Sequence, residues 1–160
     1  MTANRTISYQ VYLGKLGWRQ GIVSHGMVTG TVGLRLQMEA IIVYNLPTNF
    51  QYRVHVANLG WLNWVEQGEI AGTVGQCRRL EALQFRETSG LATDMTLVVM
   101  GKAHVQNKGW QDISSAMEPN FMGTIGQSLR MEAIQLWLVT LLNPSAVKVV
   151  QLISTSSEWN

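Results

Sequence analysis

The chain has 160 residues, of which 46% are hydrophobic and only 14% charged, a composition that excludes a disordered chain or a coiled coil and suits one domain with its own core. Its 12 basic and 10 acidic residues leave a formal net charge of +2. No basic tract is present, so the pI near 8.9 reflects a small excess and no nucleic-acid partner is expected. Cys77 is the single cysteine, which excludes an intrachain disulfide. No apolar run reaches the ~18 residues of a membrane span, and the polar start MTANRTISYQ does not read as a signal peptide.

In chain order the sequence predicts one domain over 1–160, built of three repeats at about 7–46, 50–88 and 97–140, with a further strand at about 145–155. Each repeat opens on a strand. Tyr9 to Leu13 opens the first, and Tyr52 to Val56 the second, where Tyr52, Val54 and Val56 share one face and Arg53 and His55 the other. Then come Gly17-Trp18, Gly60-Trp61 and Gly109-Trp110, a middle segment, and a Gly-Thr-x-Gly turn at Gly30, Gly72 and Gly123. The offset from that Thr to the next Glu is eight residues each time: Thr31 to Glu39, Thr73 to Glu81, Thr124 to Glu132. The Trp-to-Thr spacing varies as 13, 12 and 14, so insertions fall in the middle segment, as in a surface loop.

The closing stretch of each unit, such as Met38 to Tyr44, is apolar on both faces and reads as a buried strand. Its Met, Glu and Ala favour helix, but the β-branched and aromatic residues beyond them favour strand. Three units are too few for a propeller, and the apolar end strands do not suit a capped solenoid. The remaining architecture is an all-β, threefold pseudosymmetric closed arrangement. A β-prism-like form is expected because the closing strand is long and continuous, with a β-trefoil as the alternative.

The second unit, YRVHVANLGWLNWVEQGEIAGTVGQCRRLEALQF, resembles the clostridial hydrophobic repeat with a central tryptophan, the ChW repeat. The matching features are Tyr-x-x-His, Gly-Trp, Trp-Val, Gly-Thr-x-Gly and Leu-Glu-Ala. The third unit is similar in HVQNKGW and GTIGQSLRMEAIQL; the first is looser, with Tyr12 in the histidine position and Gly21 where the second has Trp64. In the third unit Ile113 stands there. The resemblance implies a secreted or cell-surface protein of Gram-positive bacteria or their phages, with adhesion or substrate-recognition modules among its relatives. It assigns no role to any single residue.

Several side chains are candidates for chemistry. Trp18, Trp61 and Trp110 offer stacking platforms for a pyranose, although a Gly-Trp present in every unit reads first as a core plug. Trp64, unique to one unit, is the better candidate for an exposed contact. His55 and His104, with Tyr12 as third, look like aromatic bodies with a locally bonded polar tip; threefold geometry does not suit a shared metal, and none is expected. His25 is a loop residue without a visible partner. Asn58 and Asn107 either bond vicinal hydroxyls or cap a turn.

Glu39, Glu81 and Glu132 fall on the apolar side of the closing strand by the period of two. They therefore need donors, whether turn amides, an indole N–H, or Arg35, Arg79 or Arg130. They are either structural clamps or acceptors for ligand hydroxyls. A glycosidase needs two carboxylates facing one another across a cleft, and three equivalent ones in separate units do not provide that.

No catalytic residue, cofactor or metal is therefore expected. The expected function is a non-enzymatic, lectin-like module binding polysaccharide or glycan. The alternative is a protein-interaction or assembly module, with a homo-oligomer as partner and apolar strands such as IQLWLVTLL as the contact.

Overall fold

The computed structural model describes residues 6–90 and 95–142; the strand expected at about 145–155 lies outside them. All regular structure in the described residues is β. The first unit pairs β1 (Ser8–Leu13) with β4 (Met38–Tyr44), with the short β2 (Val23–Ser24) and β3 (Thr29–Gly30) between them. In the second, β5 (Phe50–Val56) pairs with β8 (Leu80–Glu87), enclosing β6 (Gly60–Trp61) and β7 (Ala71–Gly72). In the third, β9 (Met95–Val105) pairs with β13 (Met131–Leu142), enclosing β10 (Gly109–Trp110), β11 (Ser114–Ser115) and β12 (Met122–Gly123).

Each long pair anchors one sheet, and each sheet takes its last strand from another unit. The orders are β2-β1-β4-β7, β12-β8-β5-β6 and β10-β9-β13-β3, with β11 also on β9. Thus β7 of the second unit joins the closing strand of the first through Ala40↔Gly72. In the same way β12 joins β8 through Ala82↔Gly123, and β3 joins β13 through Ala133↔Gly30. The exchange runs second to first, third to second, first to third, so the units close in a circle.

The chemistry of this joint explains the recurring words of the sequence. Gly30, Gly72 and Gly123 have φ of 97°, 114° and 90°, a region open mainly to glycine. A Cβ on any of them would come within 2.3, 2.3 and 2.2 Å of the carbonyl oxygens of Glu132, Glu39 and Glu81. The next residue then seals the contact: the Thr31, Thr73 and Thr124 N–H groups donate to those same carbonyls at 2.9, 3.0 and 2.9 Å. The small Ala after each Glu leaves room for the approach. The first glycine of Gly-Thr-x-Gly is therefore an inter-unit contact as much as a turn residue.

Inside the ring lies one apolar cluster drawn from all three units, including Tyr9, Val54, Phe85, Ala103 and Leu136. The alternation expected of β5 holds, with Phe50, Tyr52, Val54 and Val56 buried and Gln51, Arg53 and His55 partly exposed. Tyr9 and Tyr52 each tie their unit to the neighbouring closing strand. The Tyr9 hydroxyl donates to the Met27 carbonyl and accepts from Leu136 N–H at 3.0 Å. Tyr52 donates to the Glu69 carbonyl and accepts from Val43 N–H at 3.1 Å.

In the third unit Gly101 holds the tyrosine position, and a Cβ there would meet Met122 Sδ at 2.6 Å. Met122 stands where the other units have Thr29 and Ala71, so a large–small pair has been exchanged for a small–large one. The main-chain bond lost with the tyrosine is made directly, from Phe85 N–H to the Ala116 carbonyl at 2.8 Å.

Two predictions follow from this packing. Gly72→Ala combines a forbidden φ with a backbone clash and should destabilise the domain by about 3 kcal/mol. Gly75→Ala, with φ of 73° but nothing within 4 Å of the added Cβ, should cost about 1 kcal/mol. Equal losses in urea denaturation would contradict the inter-unit role. Burial pushes the Tyr52 hydroxyl up from 10.0 to about 12. A raised pKa means the fold holds the neutral phenol, so its contribution is complete below about pH 10 and is lost as pH rises toward 12. Stability should fall by about 2 kcal/mol over that interval, and denaturation of Tyr52→Phe over the same pH range should show a shallower fall.

Candidate functional site

The register of each long pair slips once, opposite the closing Glu. Tyr12 faces Ala40 while Leu13 faces Met38; His55 faces Ala82 while Val56 faces Leu80; His104 faces Ala133 while Val105 faces Met131. Glu39, Glu81 and Glu132 are the extra residues of three equivalent β-bulges, and a bulge re-aims its side chain. The alternation expected to turn them to the apolar side is broken there. They are buried, at 3%, 5% and 5% exposure, but beneath the aromatic residues of the outer face.

The bulge lets one glutamate act twice. Its carbonyl receives the threonine of the adjoining unit, and its carboxylate holds the outer face. Glu81 Oε1 accepts from His55 Nδ1 at 3.1 Å, and Oε2 accepts from Arg79 Nε and Nη2 at 3.1 and 2.9 Å. Glu132 repeats this with His104 Nδ1 at 3.1 Å and Arg130 Nε at 2.9 Å. A carboxylate only accepts, so each imidazole carries its proton on Nδ1. In the first unit Gln37 Nε2 donates to Glu39 Oε1 at 2.9 Å, and Tyr12 stands in the histidine position. Arg79 and Arg130 are thus the expected donors, whereas Gln37, not Arg35, serves the first unit.

Above each of these brackets stands the recurring tryptophan. Trp18 meets Tyr12, Trp61 meets His55 and Trp110 meets His104, all edge to face with ring centroids 5.4 Å apart. The three indoles are partly exposed, Trp110 by 37%. They are therefore surface groups, and the core-plug reading is corrected. The glycine before each has positive φ, which swings the indole back over the opening strand. Asn58 and Asn107 also have positive φ, 67° and 64°, and shape the turn before each Gly-Trp, as the capping reading expects. His25 does find a partner, the Leu138 N–H at 3.4 Å.

The second unit adds to this frame. Arg53 lies over both Trp61 and Trp64, at 4.5 and 4.3 Å from the ring centroids, and Arg86 lies over Trp64 at 4.4 Å. Phe121 of the third unit meets Trp61 edge-on at 6.1 Å. Trp64 is consequently half-buried in a ladder of alternating indole and guanidinium groups. Sequence reasoning did not single out Arg53 or Arg86. The available signal was Arg53 in the outward phase of β5, the phase of His55. The third unit keeps one rung, Lys102 over Trp110 at 5.1 Å. The first has none, because Gln10 occupies that position and bonds Tyr44 Oη at 2.7 Å.

Among the described residues, no group of three or more His, Cys, Asp or Glu could hold a metal ion, and no helix is long and apolar enough to cross a membrane. A surface depression bordered by Thr6, Asn45, Leu46 and Gln67 lies apart from the aromatic face.

Fold and surface together define an all-β repeat protein whose repeated side chains support an aromatic outer face. The family model described as Clostridial hydrophobic W (ChW) matches residues 55–88 and 104–140, stretches that lie within the second and third units. The matched stretches contain His55, Trp61 and Glu81, then His104, Trp110 and Glu132. The first unit, with the same strand plan, lies outside the match, and it is the unit with Tyr12 and Gln37 in the bracket. No curated protein and no solved structure matches the chain.

Removing Glu81 leaves a histidine and an arginine facing a buried gap, so Glu81→Ala should cost about 3 kcal/mol. Glu39→Ala removes a partner only from a neutral amide and should cost about 1 kcal/mol or less. Paired urea titrations of the two variants would reveal the difference.

Proposed function

We propose that the chain is a non-enzymatic, lectin-like module of a secreted or cell-surface protein that recognises cell-wall or surface polysaccharide. The observation that carries this reading is the repetition of a partly exposed indole at equivalent places on three units. In the second and third units it is oriented by a histidine that is itself tied to a buried carboxylate, and in the first by Tyr12. An aromatic face held in place before binding loses little rotamer freedom when a pyranose stacks on it. Three weak equivalent contacts on one rigid body gain through effective concentration along a polymer. The circular exchange of strands supports the closed, prism-like frame that such a distribution of sites needs.

The assembly reading is favoured by one specific feature: the apolar residues Val28, Ile70 and Phe121 are exposed at equivalent positions just before the inter-unit glycine. The stretch IQLWLVTLL gives it less support, because Ile134, Leu136 and Leu138 are buried within the domain.

Pull-down on a panel of insoluble cell-wall and surface polysaccharides distinguishes the two. Binding accompanied by a shift in tryptophan fluorescence, and weakened about tenfold in Trp61→Ala with the fold retained, is the expected result. A failure to bind any polysaccharide, together with an oligomer that grows with concentration in light scattering, would decide for assembly.

A further inference from the structure

The ladder on the second unit has a property that a bare aromatic platform lacks. Arg53 and Arg86 lie diagonally on the outer face of one strand pair, since Arg53 faces Gln84 and Gln51 faces Arg86 in the register. Arg53 lies over the rings of Trp61 and Trp64, and Arg86 lies over Trp64. Their Nε groups are also fixed: Arg53 Nε donates to Gln84 Oε1 at 2.9 Å, and Arg86 Nε donates to Gln51 Oε1 at 2.8 Å. The glutamines are held in turn, Gln84 by the Asn120 carbonyl at 3.1 Å and Gln51 by Glu66 Oε1 at 3.1 Å.

What remains is the outer edge of each fork. Among the described residues, neither Arg53 nor Arg86 forms an ion pair, and their terminal Nη groups have no hydrogen-bond partner. Glu66 is spent on Gln51 and on no guanidinium. Arg79 and Arg130, by contrast, are neutralised by Glu81 and Glu132. Two cations are thus locked in position with their in-plane donors unmet, the arrangement that recognises planar or tetrahedral oxyanions through paired N–H···O bonds. Because the rings and glutamines already fix both side chains, little rotamer entropy is lost when an anion docks.

We propose that the second unit binds an acidic polysaccharide, with Arg53 and Arg86 receiving carboxylate or phosphate groups carried on the sugars and Trp61 and Trp64 supporting them from behind. This rests on the carbohydrate reading and narrows it to anionic polymers and to one unit of three. Gln10 in the first unit and Lys102 over a single ring in the third cannot reproduce the double fork.

The test compares matched polymers differing only in charge: polygalacturonate against its methyl ester, and phosphomannan against dephosphorylated mannan. The wild-type chain should prefer the acidic member of at least one pair by about tenfold, and the preference should weaken as salt rises. Which pair responds identifies carboxylate or phosphate as the group recognised. Arg53→Gln/Arg86→Gln should abolish the preference; glutamine already stands at the equivalent Gln10, so the fold accommodates it at the first of these places. The Arg53→Lys/Arg86→Lys variant keeps the charge without the planar fork and should retain only part of it.

Equal binding to both members of each pair, or a preference unchanged in the glutamine variant, overturns the inference and leaves the carbohydrate reading standing. Binding to none of the four polymers nor to any other glycan overturns both.

Discussion

Everything in this domain depends on a backbone approach that only glycine permits. At Gly30, Gly72 and Gly123 one unit lies against the closing strand of another closely enough that an added methyl group would overlap a carbonyl oxygen, and a threonine N–H then bonds to that oxygen. The contact is repeated three times and closes on itself. No unit has a free partner strand, because each gives one short strand and receives another. Circular exchange also covers part of the outer side of each closing strand, at Ala40 and Ile41, Ala82 and Leu83, and Ala133 and Ile134. The core then fills a space the joints have defined. It can accept an exchange such as Tyr52 with Ala71 for Gly101 with Met122 because the larger side chain moves to the other side of the contact while the glycine joint is kept.

The same joint reaches the surface through the bulged glutamates. Glu39, Glu81 and Glu132 give their carbonyls to the neighbouring unit and their carboxylates to Tyr12's, His55's and His104's side of the sheet. In the second and third units an imidazole and an arginine bind the carboxylate, and an indole rests on the imidazole. A chain of short contacts thus runs from the inter-unit bond to the exposed tryptophan. In these two units it links Gly-Trp, Gly-Thr-x-Gly and Glu-Ala. They are successive parts of one bracket, and an indole so supported is rigid without being buried.

Much of the fold was legible because the repeat supplies three copies of each signal. The β character and the turn role of Asn58 and Asn107 follow from spacing and periodicity, and Arg79 and Arg130 stand among the donors the sequence offers Glu81 and Glu132. Three features did not. A bulge adds one residue and so defeats the period-two argument for which way Glu81 points. The recurrence of a tryptophan does not tell whether it plugs a core or caps a surface, since both uses constrain the residue equally. The first glycine of Gly-Thr-x-Gly reads as a turn because its second role lies against a strand of another unit, invisible to any local window. Arg53 reads in the sequence as an ordinary solvated strand residue, since only the fold places Trp61 and Trp64 against it.

The units therefore divide their labour unevenly. In the first, Gln37 holds the glutamate and Tyr12 meets the indole, but Gln10 brings no cation to it. The third has a single lysine over its indole, and lysine offers a flexible point charge where arginine offers a planar fork. Only in the second do two guanidinium groups, two indoles and two glutamines interlock on one face. Each cation–π contact at such a surface contributes about 0.5–1 kcal/mol, too little to hold a fold that the glycine joints already secure. The ladder is better understood as a constraint on where two positive charges stand. A frame that needs three equal joints but not three equal faces leaves each face free to differ, and the second has used that freedom to present fixed charge.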